Sequence, residues 1–270
     1  MGGIGFISGG AFCICLLLLF GRAFLSDTQR FSLAIDYLFV FLNGIIGMYD
    51  DMKKIKHKQN EGLRPMEKIL YQTMICSLYL FARAKFIGLS TTISIAGNEI
   101  ALGFLFYPLV LFIMLGIINC ANLTDGIDGL ASSVAFSIGL FLFLFTKSIV
   151  RSASVLSVIF MCSALAFLLY NKHPARIFMG DCGSLYFGAL AVCISLSLPN
   201  PFLVLLFGAV YVIEGVSVVL QVAYYKMTKK RIFLMAPLHH HLELKGMTEQ
   251  GICLCGILVT TVFSLIAFLI

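Results

Sequence analysis

The chain has 270 residues, of which 60% are hydrophobic and only 12% charged, with a formal net charge of +6 and a mean hydropathy of +1.00. A soluble domain of this size needs far more polar surface, so this composition excludes an ordinary soluble protein. Apolar runs of about 20 residues, long enough to cross a bilayer, recur along the chain. They are too continuously apolar for the alternating strands of a membrane barrel, so we expect an all-α, polytopic membrane helical bundle.

Nine candidate spans follow one another along the chain, embedded in the lipid bilayer. They cover residues 4–25, 31–49, 66–86, 102–121, 127–147, 151–171, 183–198, 201–224 and 252–270. No soluble domain interrupts them, which predicts a single integral membrane domain over 1–270. The polar, β-branched segment 90–98 favours a small extracytoplasmic β-hairpin. The nine cysteines lie mostly in apolar runs and indicate small buried side chains, not a disulfide framework.

The basic residues predict the orientation of these spans. The loops after spans 2, 4, 6 and 8 contain thirteen of the nineteen lysines and arginines: Lys53, Lys54, Lys56, Lys58, Arg64, Lys68, Lys172, Arg176, Lys226, Lys229, Lys230, Arg231 and Lys245. These loops are therefore expected to face the cytoplasm. The same face is predicted to carry all five histidines and five of the seven aspartates. This sorting is the strongest functional signal in the sequence.

The first acidic motif is Asp50-Asp51, which closes span 2. Carboxylates at a helix C-terminus meet the negative end of the macrodipole, so a cation should compensate them. One candidate is local, since Lys53 and Lys54 follow directly. The other candidate is a metal or a proton at an adjacent catalytic site.

The second motif, Asn122-Leu-Thr-Asp125-Gly-Ile-Asp128-Gly, is predicted to open span 5. Asp125 would be a good N-cap, and Asp128 would then lie on the same side of the first turn. Capping explains one aspartate, whereas the pair together with Asn122 favours a ligand site. Gly126 would allow a ligand to approach the backbone closely.

Two further motifs lie in the last cytoplasmic loops. Gly180-Asp181-Cys-Gly-Ser opens span 7, and a helix N-terminus flanked by glycines offers free N–H groups for a phosphate. Phosphate beside a carboxylate implies Mg²⁺, but for this motif in isolation a simple aspartate N-cap is the preferred interpretation. In the last loop, His239-His240-His241 follow Pro237. Three consecutive histidines do not face one metal from a regular helix, so a phosphate or substrate contact is favoured over a zinc site.

Two acids, Asp36 and Glu214, lie inside predicted spans. Intramembrane acids are functional candidates by default, and a transporter would use them to carry protons. Hydrogen bonding between helices is the simpler interpretation for both.

Taken together, four segments resemble the phospho-N-acetylmuramoyl-pentapeptide transferases, within the polyprenyl-phosphate N-acetylhexosamine-1-phosphate transferase superfamily. The segments are GMYDDMKK with the later Gly62, Leu63 and Lys68, then NLTDGIDGLA, YNKHPARIFMGDCGSLYFG and RIFLMAPLHHHLELKG. The resemblance implies transfer of phospho-N-acetylmuramoyl-pentapeptide from UDP to undecaprenyl phosphate, giving lipid I and UMP for peptidoglycan. It also implies a Mg²⁺ requirement, a homodimer, a bacterial cell membrane and a cytoplasmic active site. It implies no nucleic-acid partner.

The resemblance also implies roles for individual residues. The catalytic residues would be Asp50, Asp51, Asp181 and His240. The substrate-binding residues would be Lys54, Lys68, Asn122, Asp125, Gly126, Ile127, Asp128, Asn171, Phe178, His239 and His241.

By the same resemblance, Asp181 would be the principal Mg²⁺ ligand and Asn122 a second. Asp50 would deprotonate or otherwise activate the lipid phosphate, with Asp51 beside it.

The lysines Lys54 and Lys68 would hold phosphates, and Phe178 would stack on uracil. Asn171, Gly126, Ile127 and Asp128 would surround the nucleoside. Asp125, His240 and His241 would line the substrate cleft.

The family's first span and the basic loop before its second are expected to be absent from this chain. Three alternatives stay open: a UDP-N-acetylhexosamine-1-phosphate transferase for another cell-surface polymer, a transporter, and an inactive membrane fragment or scaffold.

Overall fold

The structure, a computed structural model, describes residues 2–57, 62–95 and 97–270, with the side chain of His57 excepted. Lys58, one of the predicted cytoplasmic lysines, lies outside the described residues. The regular secondary structure of the described residues is helical, apart from one two-stranded sheet. Its elements are α1 (Gly3–Phe20), α2 (Asp27–His57), α3 (Pro65–Ala82), β1 (Thr92–Ile95), β2 (Asn98–Ala101), α4 (Phe106–Thr124), α5 (Leu130–Thr146), α6 (Arg151–Asn171), α7 (Asp181–Ser195), α8 (Val204–Phe207), α9 (Ala209–Thr228), α10 (Leu238–Leu244) and α11 (Glu249–Ala267).

The prediction of a polytopic membrane helical bundle is confirmed. Among the described residues, five helices are long and apolar enough to cross a membrane, and six if one bent pair is a single span. The helices α3, α5 and α7 coincide with the other predicted spans but fall short of that length or hydropathy.

The eighth predicted span is not one straight helix. Its two parts, Pro201–Phe207 and Ala209–Thr228, meet at an angle of 79°. Gly208 lies at the break with φ −93° and ψ 27°, outside helical geometry. The apolar run of 201–224 is continuous across the break, which is why the sequence did not indicate it.

The small hairpin forms as predicted, displaced by a few residues. Strands β1 and β2 pair antiparallel, with Thr92 opposite Ala101 and Ile95 opposite Asn98. The prediction of 90–98 therefore ended too early, because the second strand continues to Ala101.

Helix α7 lies at the centre of the bundle, and every residue from Cys182 to Ser195 is buried. Small residues let its neighbours approach closely. A Cβ at Gly47 of α2 would overlap the carbonyl of Asp181, and a Cβ at Gly188 would lie 2.7 Å from the Cα of Ile118 on α4. This packing brings the C-terminal ends of α2 and α4 to the N-terminal end of α7.

The intramembrane acid Asp36 is part of a buried polar network between helices. Its carboxylate lies 2.7 Å from a guanidinium nitrogen of Arg83 and accepts a hydrogen bond from the Tyr79 hydroxyl at 2.8 Å. Arg83 also donates to the carbonyl of Leu196 at 3.2 Å. The interhelical interpretation of Asp36 is therefore confirmed.

Candidate active site

Three carboxylates meet where α2 ends and α7 begins. Asp50 and Asp51 lie on α2, Asp181 is the first residue of α7, and one oxygen of each lies within 4.8 Å of the other two. Asp50 and Asp51 are 3% and 7% exposed, so these charges are held largely out of water. We call Asp50, Asp51 and Asp181 the acidic cluster. Buried like charges at such distances require cations nearby.

Two lysines supply that compensation. The Nζ of Lys54 lies 2.6 Å from Oδ2 of Asp50, 3.1 Å from Oδ2 of Asp181 and 3.9 Å from Oδ1 of Asp51. The Nζ of Lys68 lies 2.8 Å from the same Oδ2 of Asp181. The local compensation expected at the end of span 2 thus comes from Lys54, whereas Lys53 lies 3.8 Å from Glu67.

Asn122, at the end of α4, completes the ring of polar contacts around Asp181. Its Nδ2 donates to Oδ1 of Asp181 at 3.0 Å and to the Ser184 hydroxyl at 2.8 Å, while its Oδ1 accepts from Lys68 at 3.2 Å. Segments separated by more than 50 residues in the chain therefore meet at one point. The amide oxygen of Asn122 is directed to Lys68 and not to the carboxylates.

The prediction of free N–H groups at the start of α7 is wrong for the described structure. The backbone N–H groups of Asp181 and Cys182 both donate to Asp51 at 3.2 Å. Those of Gly183 and Ser184 donate to the carbonyl of Gly180. Asp51 therefore occupies the position that an anion would take at this helix N-terminus. The competing N-cap interpretation also fails, because Gly180 is the N-cap and Asp181 is already helical.

Asp50 is fixed by Gly62 and Leu63, which lie just before α3. The backbone N–H of Leu63 donates to Oδ1 of Asp50 at 2.7 Å. Gly62 packs so tightly on this carboxylate that a Cβ would lie 2.5 Å from Oδ1. Glycine at 62 is therefore required by close approach.

The segment 122–129 does not open a helix as predicted. Helix α4 continues to Thr124, Asp125 follows as its C-cap, and α5 begins only at Leu130 after Gly129 with φ +80°. Asp125 is thus not an N-cap, because the helix before it extends further than the apolar run suggested. Burial, together with the nearby carboxylates of Asp181 and Asp51, raises the pKa of Asp125 to about 7.

Asp128 does not point to the same side as Asp125, because no helical turn joins them. Its Oδ2 accepts from the backbone N–H of Ala175 at 2.8 Å and lies 3.4 Å from Nδ1 of His173. Glu249 of α11 approaches the same histidine at 3.3 Å and accepts from the backbone N–H of Asp128 at 2.9 Å. This role of Glu249 was not predicted, since nothing local in the sequence relates it to a residue 121 positions away.

The other residues expected around a nucleoside differ in accessibility. Phe178 is 67% exposed and free to stack on a planar ring. Ile127 is partly buried. Asn171 is buried, accepts from Gly129 N and the Ser132 hydroxyl, and donates to the carbonyl of Ile177. Its amide group therefore stabilises the loops and presents no free polar atom to a ligand.

The three adjacent histidines lie on the short helix α10 and have different neighbours. His239 is fully buried against Gly126 and Glu214. Nδ1 of His240 lies 3.0 Å from Glu243, and Nδ1 of His241 accepts from the backbone N–H of Leu234 at 3.1 Å. The interpretation that they do not share one metal agrees with this divergence. Direct substrate contact by His239, however, is incompatible with its complete burial here.

Comparison with known proteins finds relatives that match most of this chain. Residues 33–198 match the family profile described as Glycosyl transferase family 4. The chain is 41% identical over 227 residues to the phospho-N-acetylmuramoyl-pentapeptide-transferase of Caldicellulosiruptor bescii, an alignment covering 83% of this chain and 70% of the relative.

Two further relatives carry the same description. The protein of Clostridium perfringens strain 13 is 41% identical over 226 residues, covering 83% of this chain and 71% of its own length. The protein of Streptococcus suis strain 05ZYH33 is 41% identical over 263 residues, covering 93% of this chain and 76% of its own length. The matched regions include the acidic cluster and both lysines that contact it.

Proposed function

Since the chain belongs to the phospho-N-acetylmuramoyl-pentapeptide transferases of Glycosyl transferase family 4, we propose that the acidic cluster is the centre at which it transfers its phospho-sugar. The chain is a multi-pass membrane enzyme of the phosphotransferase type that forms lipid I for peptidoglycan. The donor is UDP-N-acetylmuramoyl-pentapeptide and the acceptor is undecaprenyl phosphate. The product besides lipid I is UMP.

One observation carries this proposal: three carboxylates and two lysines from α2, α3 and α7 meet beside Asn122 of α4 at one end of the bundle. Phosphoryl transfer depends mainly on positioning and on stabilisation of charge. A lysine pair held by buried acids supplies fixed positive charge for phosphate oxygens. An acceptor with a lipid tail and a phosphate head requires such a site at the edge of the membrane, and we assign it to the cytoplasmic face.

The donor atoms present suit Mg²⁺, which takes oxygen ligands in proteins. The acidic cluster offers carboxylate oxygens within 4.8 Å of one another. Asp181, with Asp50 and Asp51, would hold the ion, and Asn122 would contribute after turning its amide. When bound, Mg²⁺ would screen the negative charge of the pyrophosphate.

The two lysines and the acids Asp50 and Asp51 would also have roles besides metal binding. Lys54 and Lys68 would exchange their contacts with Asp181 for phosphate oxygens of the two substrates. Asp50, which accepts hydrogen bonds from Lys54 and Leu63 N, would also orient Lys54 near the lipid phosphate. Asp51 holds the start of α7, and with it Asp181, in place.

The nucleoside would lie between the loops 125–129 and 172–180. Phe178 is the exposed aromatic ring available to stack on uracil. Gly126, Ile127 and Asp128 form the facing backbone. We also propose that the chain forms a homodimer in the bacterial membrane.

The test is release of UMP by the purified chain in lipid nanodiscs, with UDP-N-acetylmuramoyl-pentapeptide, undecaprenyl phosphate and Mg²⁺. We expect UMP and lipid I to form in equal amounts and to stop when EDTA removes the metal. An equal rate with UDP-N-acetylglucosamine would instead support the transferase for another polymer. No UMP with either donor would refute the proposal.

A further inference from the structure

A buried pair of ionisable residues lies behind the proposed site. Glu214, on α9, is 5% exposed, and His239, on α10, is fully buried. The Oε2 of Glu214 accepts a hydrogen bond from the backbone N–H of His239 at 3.3 Å and lies 3.2 Å from its Nδ1. One carboxylate oxygen therefore binds the backbone of His239 and lies in contact with its ring, without a hydrogen bond to Nδ1.

The other side of the His239 ring faces the turn after α4. A Cβ at Gly126 would overlap Nε2 of His239, so the ring packs directly on the Gly126 backbone. Neither Nδ1 nor Nε2 has a hydrogen-bond partner among the described residues. An unpartnered buried polar atom costs about 1–3 kcal/mol, so the position of this ring is maintained against that cost.

We infer that Glu214 is a positioning residue for the donor nucleotide, acting through His239 on the backbone of Gly126. The inference rests on the proposed function, in which Gly126 belongs to the wall around the nucleoside. Glu214 holds the imidazole, the imidazole supports the Asp125–Gly126 peptide, and that peptide faces the bound nucleotide. His239 acts from behind the turn, because its complete burial prevents direct contact.

A simple packing role and a positioning role predict different kinetics. A variant that only loosens the bundle lowers the fraction of active enzyme, which reduces kcat and leaves both KM values unchanged. Displacement of the Gly126 turn weakens one substrate selectively. Errors of about 1 Å in a positioned group cost up to about 100-fold in rate or affinity.

The experiment measures both KM values and kcat for Glu214→Gln, which keeps the size of the side chain and removes its charge. We expect KM for UDP-N-acetylmuramoyl-pentapeptide to rise about 10- to 100-fold and KM for undecaprenyl phosphate to stay within about twofold. Glu214→Asp keeps the carboxylate on a shorter side chain, so its KM for the UDP-sugar should lie between those of the wild type and Glu214→Gln. Glu99→Gln, the same chemical change on strand β2, is the control and should match the wild type.

A second pair of variants tests the link even if Glu214→Gln does not fold. Gly126→Ala should raise KM for the UDP-sugar because its Cβ displaces the ring, and His239→Ala in the same chain should restore part of that loss. Wild-type kinetics in Glu214→Gln, a change confined to kcat, or no recovery in the double variant would overturn the inference. If the wild type releases no UMP, the proposed function fails instead. Calorimetric binding of UDP to the wild type and Glu214→Gln then still tests the positioning role, with equal affinities overturning it.

Discussion

Replacement of Asp181 by asparagine should separate the charge of the acidic cluster from its shape. The three carboxylates of the acidic cluster and the two lysine ammonium groups that contact it together give the site one net negative charge. Asp181→Asn brings it to zero while keeping an oxygen of similar size and position. We expect binding of a divalent cation to weaken strongly, since a neutral cluster no longer attracts it.

The magnitude follows from the geometry. Two unit charges about 4 Å apart interact by about 4 kcal/mol at an effective dielectric constant of 20. The side chain of Asp181 is 18% exposed, so water reduces this value. A remaining effect of about 2.7 kcal/mol corresponds to about 100-fold in affinity. The Mg²⁺ concentration for half-maximal UMP release should therefore rise by about 100-fold or more.

The assay is UMP release over a range of Mg²⁺ concentrations, with thermal unfolding of each variant as a check on folding. Asp27→Asn is the matched control, since the side chain of Asp27 is 91% exposed at the start of α2. It should reproduce the wild-type titration. An unchanged Mg²⁺ requirement and turnover in Asp181→Asn would refute the assignment of the cluster as the metal centre.

Three other predictions concern single positions. Gly62→Ala places a Cβ 2.5 Å from Oδ1 of Asp50. It should therefore lower UMP release at least about tenfold and destabilise the chain by about 1–3 kcal/mol in thermal unfolding. Turnover at the wild-type rate would contradict this. The pKa of Asp125 is raised to about 7, so the folded chain retains a proton that the unfolded chain releases near pH 4, and stability falls as pH rises between these values. Asp125→Asn should therefore lose less thermal stability than the wild type between pH 5 and pH 8, by roughly 1–3 kcal/mol, and parallel melting curves would disprove the reasoning. Asp36→Asn leaves Arg83 buried without its carboxylate and should destabilise the chain by about 3–5 kcal/mol in detergent unfolding, whereas a loss below about 1 kcal/mol would show the pair to be dispensable.

The acids within the spans show where sequence reasoning was sufficient and where it was not. Interhelical bonding was the preferred interpretation of both Asp36 and Glu214. Asp36 fits that interpretation fully, since Arg83 and Tyr79 surround it. Glu214 does bond across helices, but its partner is His239 of the three-histidine motif, and neither residue type nor spacing indicated that pairing.

Two predictions that were made from a local sequence rule were wrong. A glycine-flanked helix start normally offers free N–H groups, but Asp51 from another helix occupies those of α7. An aspartate after an apolar run suits an N-cap, but α4 continues through Asn122 to Thr124. In the first case the competing partner lies 130 positions away in the chain, and in the second the preceding helix extends beyond its apolar run.

The amino-acid sequence by itself determined the class and the chemistry. The length and continuity of its apolar runs required helices in a bilayer, because an unpaired backbone has no hydrogen-bonding solvent there. The placement of its acids, lysines and histidines indicated a phosphate-handling site on one face. Only the tertiary structure decided which charges neutralise one another: Lys54 and Lys68 on Asp181, Asp51 on α7, Glu214 on His239. Such pairings depend on distances of a few ångströms between segments far apart in the chain, and these distances are set by how closely glycines such as Gly47 and Gly126 allow the backbones and side chains to pack.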